Sequence, residues 1–348
     1  MSPSVSIIVA CRDEVGYIQN FLDVVGSQVN CDFEVLIADG MSRDGTRAIL
    51  DEWVKTNPRH RVVENPGRIV STGLNAAIRA ARGEIIIRMD VHTQYAPDYV
   101  ASCVHYLKKT GADNVGGPAR TKAIGVVQRA IAAAYNSSFS CGGARFHDEN
   151  YEGYVDTVVY GCWYKNTLER VGLFDETLVR NQDDELNLRL HRMGGKLWQT
   201  PSVVSWYVPR SSLYALFRQY FQYGFWKFPV IRKHRIPASW RHVVPALFVL
   251  GNLFGVAVLM IGMAFGFSGA TSLIVGIWAG VMSLYILSSL AASVSTAKKR
   301  GWDLLPLLPA VYGVYHFSYG TGSLAGLIYW SMYDLKAQPD APFANLTR

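Results

Sequence analysis

Cysteine is scarce in this chain: five residues in 348, odd in number and without a C-x-x-C pair. That excludes a disulfide framework and a structural zinc site, and it suits reduced thiols facing a cytosol. The dinucleotide fingerprint G-x-G-x-x-G is missing after the first apolar run, where Arg12, Asp13 and Glu14 stand instead. Hydride transfer on the usual nucleotide fold is therefore excluded. No G-x-x-x-x-G-K-[ST] occurs either, which removes the common nucleotide hydrolases. Charge is thin, at 18% of residues, and unevenly spread. From His242 to Ala297 there is no formal charge, and from Leu304 to Trp330 only His316 could carry one. A net charge of +7 with a pI near 9.1 would suit nucleic acid. The basic residues nevertheless cluster beside the apolar stretches, so membrane lipids with anionic headgroups are the simpler partner and no nucleic acid is expected.

Apolar runs of about 20 residues span a bilayer. Residues 243–267 and 271–296 read as two spans joined at Ser268, Gly269 and Ala270, with a third within 309–332. Pro306, Pro309 and several glycines leave room for that third segment to be broken or re-entrant. Arg232, Lys233, Arg235 and Arg241 precede the first span, and Lys298, Lys299 and Arg300 follow the second. The positive-inside rule makes both clusters cytoplasmic. The expected location is a plasma membrane with the first 240 residues in the cytoplasm. Residues 4–10 are too short for a secretory signal and run at once into Arg12, Asp13 and Glu14.

Ahead of the spans, apolar runs at 5–10, 33–38, 62–63 and 84–89 alternate with helical patterns at 45–55 and 71–81. Alternation of this kind predicts βαβ units and a mainly parallel sheet in an α/β fold. After His92 the pattern is irregular until a strand at 155–160 and helices at 165–172 and 184–193. Residues 211–228 are aromatic, with Leu213, Leu216, Phe217, Tyr220, Tyr223 and Gly224 on one helical face, and are expected to lie at the headgroups.

Three strand ends carry acids: Glu14, Asp39 and Asp90. Ligands of open α/β sheets bind at the C-terminal ends of strands. Asp90 and His92 are two residues apart in an extended segment and point the same way, so they could share one divalent cation. Such a cation would neutralise a nucleotide diphosphate.

In order along the chain stand S-I-I-V-A-C-R-D-E (6–14), D-G-x-S-x-D-G-T (39–46), G-L-N (73–75), D-x-H (90–92) and Q-D-D-E-L-N-L-R (182–189). This set resembles the inverting glycosyltransferases of family 2 over residues 4 to about 230. With apolar helices after the catalytic part, the layout is similar to the bacterial exopolysaccharide branch, the succinoglycan-type glucosyltransferases in particular. The resemblance implies a GT-A fold, a UDP-sugar donor, a Mn2+ or Mg2+ cofactor and a polyprenyl-linked saccharide acceptor at a bacterial inner membrane. It also implies four parts: a GT-A domain at 1–210, an interfacial region at 211–240, a membrane domain of about three helices at 241–335 and a tail at 336–348.

By the same resemblance, Ala10, Arg12 and Glu14 line the nucleoside pocket, Asp39 bonds the base, and Arg68 and Asp90 also contact the donor. Asp90 and His92 stand where the family has D-x-D, and an imidazole in the second place favours manganese. Asp183 is the expected catalytic base, just ahead of the helix at 184–193, with Gly161, Trp163 and Gln182 at the acceptor. Trp163 would stack on a sugar face or pack in the core. Arg218, Tyr223 and Trp226 are expected to close over the diphosphate. Two other readings are a polyprenyl-phosphate sugar synthase, whose acceptor is already an anion, and a membrane subunit that binds nucleotide sugar without turnover.

Overall fold

The computed structural model describes residues 4–237 and 239–333, apart from the side chain of Cys141, so the expected tail lies outside the described residues. In chain order the elements begin with β1 (Val5–Cys11), α1 (Ile18–Gly26), β2 (Phe33–Asp39), α2 (Thr46–Trp53), β3 (His60–Glu64), α3 (Val70–Ala80) and β4 (Ile85–Arg88). Next come β5 (Thr93–Tyr95), α4 (Tyr99–Thr110), β6 (Asn114–Gly117), β7 (Arg120–Thr121), α5 (Gly125–Tyr135) and α6 (Ser138–Cys141). They continue with β8 (Gly153–Val155), β9 (Val159–Tyr164), α7 (Lys165–Val171), α8 (Gln182–Arg192), β10 (Leu197–Gln199) and β11 (Ser205–Tyr207). The chain then becomes helical, with α9 (Leu213–His234), α10 (Val244–Phe265), α11 (Gly269–Arg300) and α12 (Leu308–Met332).

The fold divides into two compact units. The first holds the chain up to Lys122 together with Arg145–Val208. Its main sheet has eight strands in the order β3-β2-β1-β4-β9-β6-β10-β8. The strands β3, β2, β1 and β4 are mutually parallel, as β-branched runs linked by helices require. From β9 onward the pairing is mixed, with β9 antiparallel to both β4 and β6. Val5, Ile7, Val9, Val35, Ile37, Ile85 and Ile87 fill one face against α1, while Ile8, Leu36, Ile86 and Leu74 fill the other. Full burial of each such side chain contributes roughly 1.5–3 kcal/mol, enough to fix the register and the face each residue takes. A second sheet of three strands, β5-β11-β7, adds Thr93 and Tyr95 at that edge.

The second unit holds Ala123–Ala144 and the chain from Pro209. The expected boundary at 210 is therefore incomplete, because α5 and α6 leave the first unit. Ala130, Ile131, Ala133 and Ala134 of α5 cluster with Leu216, Leu308, Tyr312 and Tyr315. The two spans read from the sequence are α10 and α11, each long and apolar enough to cross a membrane, and their outer faces expose Leu247, Leu253, Phe254, Leu273, Leu284 and Leu287. Ser268 caps α11 and exchanges hydrogen bonds with Thr271 in a capping box. The third expected span is the helix α12, but among the described residues only α10 and α11 meet the test of length and apolarity.

The segment expected at the headgroups is α9, and it packs along α12. A side chain at Gly224 would run into Tyr319 O, one at Gly322 into Phe221 O and one at Gly326 into Phe225 O. Small residues at these places let two backbones approach closely, as helices do in membranes. His316, a polar group in an apolar helix, bonds through Nδ1 to Tyr285 Oη and through Nε2 to Phe139 O, both at 2.9 Å.

Candidate active site

The C-terminal ends of β1, β2 and β4 bring the sequence-predicted acids together with residues not singled out beforehand. Beyond β4, His92 stands between two carboxylates, with Nε2 at 2.8 Å from Glu14 Oε2 and Nδ1 at 3.4 Å from Asp90 Oδ1. Its backbone N–H also donates to Asp90 Oδ1 at 3.0 Å. Burial disfavours a charged imidazole here, but the two carboxylates outweigh it and push His92 up to about 9. Asp90 is held below the usual carboxylate range: burial works against ionisation, and the His92 hydrogen bond and charge, with Arg88 behind them, overcome it. Tyr17 packs edge-on against the His92 ring at 4.8 Å.

The donor set suits a divalent cation. Asp90 Oδ1 and His92 Nδ1 are close enough to share one ion, while Nε2 faces Glu14 as a ligand histidine's second nitrogen faces a carboxylate. Among the described residues no group of three or more His, Cys, Asp or Glu is gathered for a metal, so two protein ligands are what this edge offers. Glu14, expected at the nucleoside, is buried and turned to His92.

Across the edge, Asp39 at the end of β2 is buried, accepts Ser42 Oγ–H at 2.5 Å and lies 3.7 Å from Arg47 Nη1. Asp13, with a φ of +54°, accepts Arg43 N–H at 2.8 Å and donates its own N–H to Ser42 Oγ at 2.8 Å. Arg12 lies half-exposed beside Asp13. Ala10 lies on β1 below them, and its Cβ sits against Gly73, where an added Cβ would stand 3.1 Å away. Arg68 is exposed after β3, with a left-handed φ of +60°.

Asp183 does not precede a helix but lies in its first turn, because Asn181, with a φ of +60°, takes the cap position of α8. The Asp183 carboxylate accepts through Oδ1 from Arg88 Nη1. Arg88 ends β4, its side chain is 7% exposed, and its guanidinium lies 5.9 Å from the centre of the Tyr160 ring. Tyr160 has a φ of +59°, costly for a bulky residue, and its hydroxyl pairs with Thr93 Oγ1. Burial lifts the Asp183 carboxyl, Arg88 opposes that lift, and Asp90 and Asp184 add to it, with the net direction upward. Arg88 was missed in the sequence, although a lone arginine closing the buried run Ile85–Ile87 was the signal that could have found it. The acids that follow Asp183 are not all alike. Glu185 is fully buried and held by Arg189, which also donates to Val171 O and Leu173 O, so it braces α8.

Two expected roles are corrected. Trp163 is 2% exposed and packs edge-on against Phe174, leaving no ring face open to a sugar. Gly161, with a φ of +113°, is glycine because a Cβ there would strike the Trp163 ring. Trp226 is 1% exposed within the α9–α12 pair, 5.0 Å from Trp330, and is not placed as a gate. Arg218 and Tyr223 also lie on α9, where Arg218 approaches the Tyr214 ring and Tyr223 Oη accepts from Gln219 Nε2 at 3.1 Å. Gln182 opens α8 and is buried.

Residues 6–177 match the family described as glycosyl transferase family 2. The succinoglycan biosynthesis protein ExoA of Rhizobium meliloti is 30% identical over 308 residues, covering 87% of this chain and 93% of its own. In Methanococcus voltae, a dolichyl N-acetyl-alpha-D-glucosaminyl phosphate 3-beta-D-2,3-diacetamido-2,3-dideoxy-beta-D-glucuronosyltransferase is 27% identical over 334 residues, covering 93% of this chain and 97% of its own. Among solved structures, the mannosyltransferase PcManGT of Pyrobaculum calidifontis, in complex with GDP-Man and Mn2+, matches with a TM-score of 0.55. That likeness is at 20% identity and covers 91% of this chain and 87% of the other.

Proposed function

The chain belongs to glycosyltransferase family 2 and is a glycosyltransferase, and from that premise we propose that it moves a hexose from a UDP-sugar, glucose first among candidates, onto a polyprenyl-diphosphate-linked saccharide. The exopolysaccharide relative supports a saccharide acceptor and the dolichyl phosphate relative a lipid-linked one, and α10 and α11 would hold the enzyme where such an acceptor lies.

The observation that supports this mechanism is the pairing of Asp183 with Arg88, the residue two places before Asp90. One strand end thereby reaches both the expected base and the expected metal ligands. Asp183 Oδ2 takes the proton of the acceptor hydroxyl, whose oxygen forms a bond to the anomeric carbon. The bond from that carbon to the phosphate oxygen breaks on the opposite face, and the nucleoside diphosphate leaves with the electron pair. Asp90 and His92 would hold a divalent cation, manganese before magnesium given the imidazole, and when bound it would neutralise charge on the leaving diphosphate. Asp39 and Arg12 would hold the nucleoside.

Asp183→Asn tests the reading. It is expected to lower transfer from UDP-glucose by roughly 10²–10⁴-fold, the contribution of a positioned base, while UDP binding measured by calorimetry stays at the wild-type level. Transfer at the wild-type rate in this variant would eliminate the assigned base.

A further inference from the structure

We propose that Arg88 is a positioning residue for the transfer, fixing the Asp183 carboxylate by one oxygen and leaving the other to accept the acceptor's proton. The proposal rests on Asp183 being the base. Its geometry is independent of that role. A guanidinium withdrawn from water is stable only when paired and hydrogen-bonded. Arg88 is almost wholly buried, and its partner is Asp183 Oδ1. Oδ2 makes no hydrogen bond among the described residues, and the Asp183 side chain stays 38% exposed.

Both partners are held from behind. Tyr160 supports the guanidinium from β9, is tied to Thr93 by its hydroxyl, and adopts a backbone conformation that a tyrosine rarely keeps unless its surroundings impose it. Asn181, also left-handed, sets where α8 begins and so where Asp183 stands. The guanidinium engages one carboxylate oxygen and leaves the other open.

The groups facing Asp183 are Arg88 at the end of β4, Asp90 just beyond it and Asp184 on α8 itself. Among these groups Arg88 is the cation set against two acids. Without it the carboxylate protonates more readily, and the acid limb of the rate profile moves to higher pH.

The test uses the full chain in detergent with UDP-glucose, Mn2+ and a polyprenyl-diphosphate-linked saccharide. Arg88→Gln is expected to lower kcat by roughly ten- to a hundredfold, a fraction of what a positioned base supplies. Donor KM should stay within about twofold, and the acid limb of kcat should shift upward. Combining Arg88→Gln with Asp183→Asn should be no slower than Asp183→Asn alone, because residues acting as one unit are not additive. A kcat and acid limb at wild-type values in folded Arg88→Gln, or a raised donor KM with unchanged kcat, overturns the proposal and leaves the base standing. Wild-type transfer by Asp183→Asn overturns both. Where Arg88→Gln does not fold, Arg88→Lys is read in its place: a smaller fall in kcat at constant donor KM supports the proposal, and an unchanged kcat overturns it.

Discussion

Glu14 Oε2 lies 2.8 Å from His92 Nε2, so the loop after β1 and the loop after β4 are joined across the sheet edge by one contact. The contact decides which imidazole nitrogen is left for a metal. Glu14 engages Nε2, and Nδ1, the nitrogen beside Asp90, is the one that would meet a metal once its proton is displaced. Glu14→Ala is therefore expected to weaken the Mn2+ dependence of UDP binding by roughly ten- to a hundredfold, the usual effect of removing a ligand's supporting carboxylate. Titration of UDP binding against Mn2+ measures it. An unchanged Mn2+ midpoint would show that His92 does not rely on Glu14.

A second prediction concerns Glu34 on β2, which is 2% exposed. It accepts from Ser6 Oγ at 2.7 Å, Arg82 N at 2.6 Å and Arg61 Nη2 at 2.8 Å. Burial opposes its ionisation, but these donors and the Arg61 charge outweigh it and hold the carboxyl below its ordinary 4.5. A depressed folded value means that the stabilisation is complete above the unfolded value and is lost as pH falls through the folded one. Glu34→Gln is expected to cost about 1–3 kcal/mol at pH 7. The gap in thermal midpoint between variant and wild type should close between pH 5 and the acid end of the titration. A gap that stays constant with pH would mean that Glu34 stabilises without its charge.

Strand ends were legible in the sequence because each buried run stops at a polar residue, which placed Asp39, Asp90 and Glu14 correctly at one edge. The short strands β5, β7, β8 and β11 were not legible, since two or three residues carry no periodicity. The start of α8 was misplaced by two residues because Asn181 caps it through its own left-handed backbone, a conformation that composition does not announce. Arg88 was hidden in the same way: its reason for being buried is Asp183, 95 positions later. The path of Ala123–Ala144 into the second unit depends on contacts such as Tyr315 Oη with Ile131 O, which no local pattern encodes.

Trp163 offers a test of core against site. Trp163→Ala should cost about 3–5 kcal/mol through the cavity it leaves. Trp163→Phe, which keeps an aromatic ring against Phe174, should keep the acceptor KM at the wild-type value. A large rise in acceptor KM with little loss of stability in Trp163→Phe would return Trp163 to the sugar.

Helix α12 supplies the last prediction through two glycines in different surroundings. At Gly326 a Cβ would collide with Phe225 O, whereas at Gly276 of α11 nothing stands within 4 Å. Gly326→Val must force α9 and α12 apart, at a cost of about 1–3 kcal/mol or more, because a packed interface absorbs an extra group only by shifting backbone. Gly276→Val meets open space and replaces a poor helix former, so it should leave stability within about 0.5 kcal/mol or raise it slightly. Thermal unfolding of both variants in the same detergent compares them directly. Equal midpoints would mean that the close approach of α9 and α12 contributes nothing to holding the second unit together.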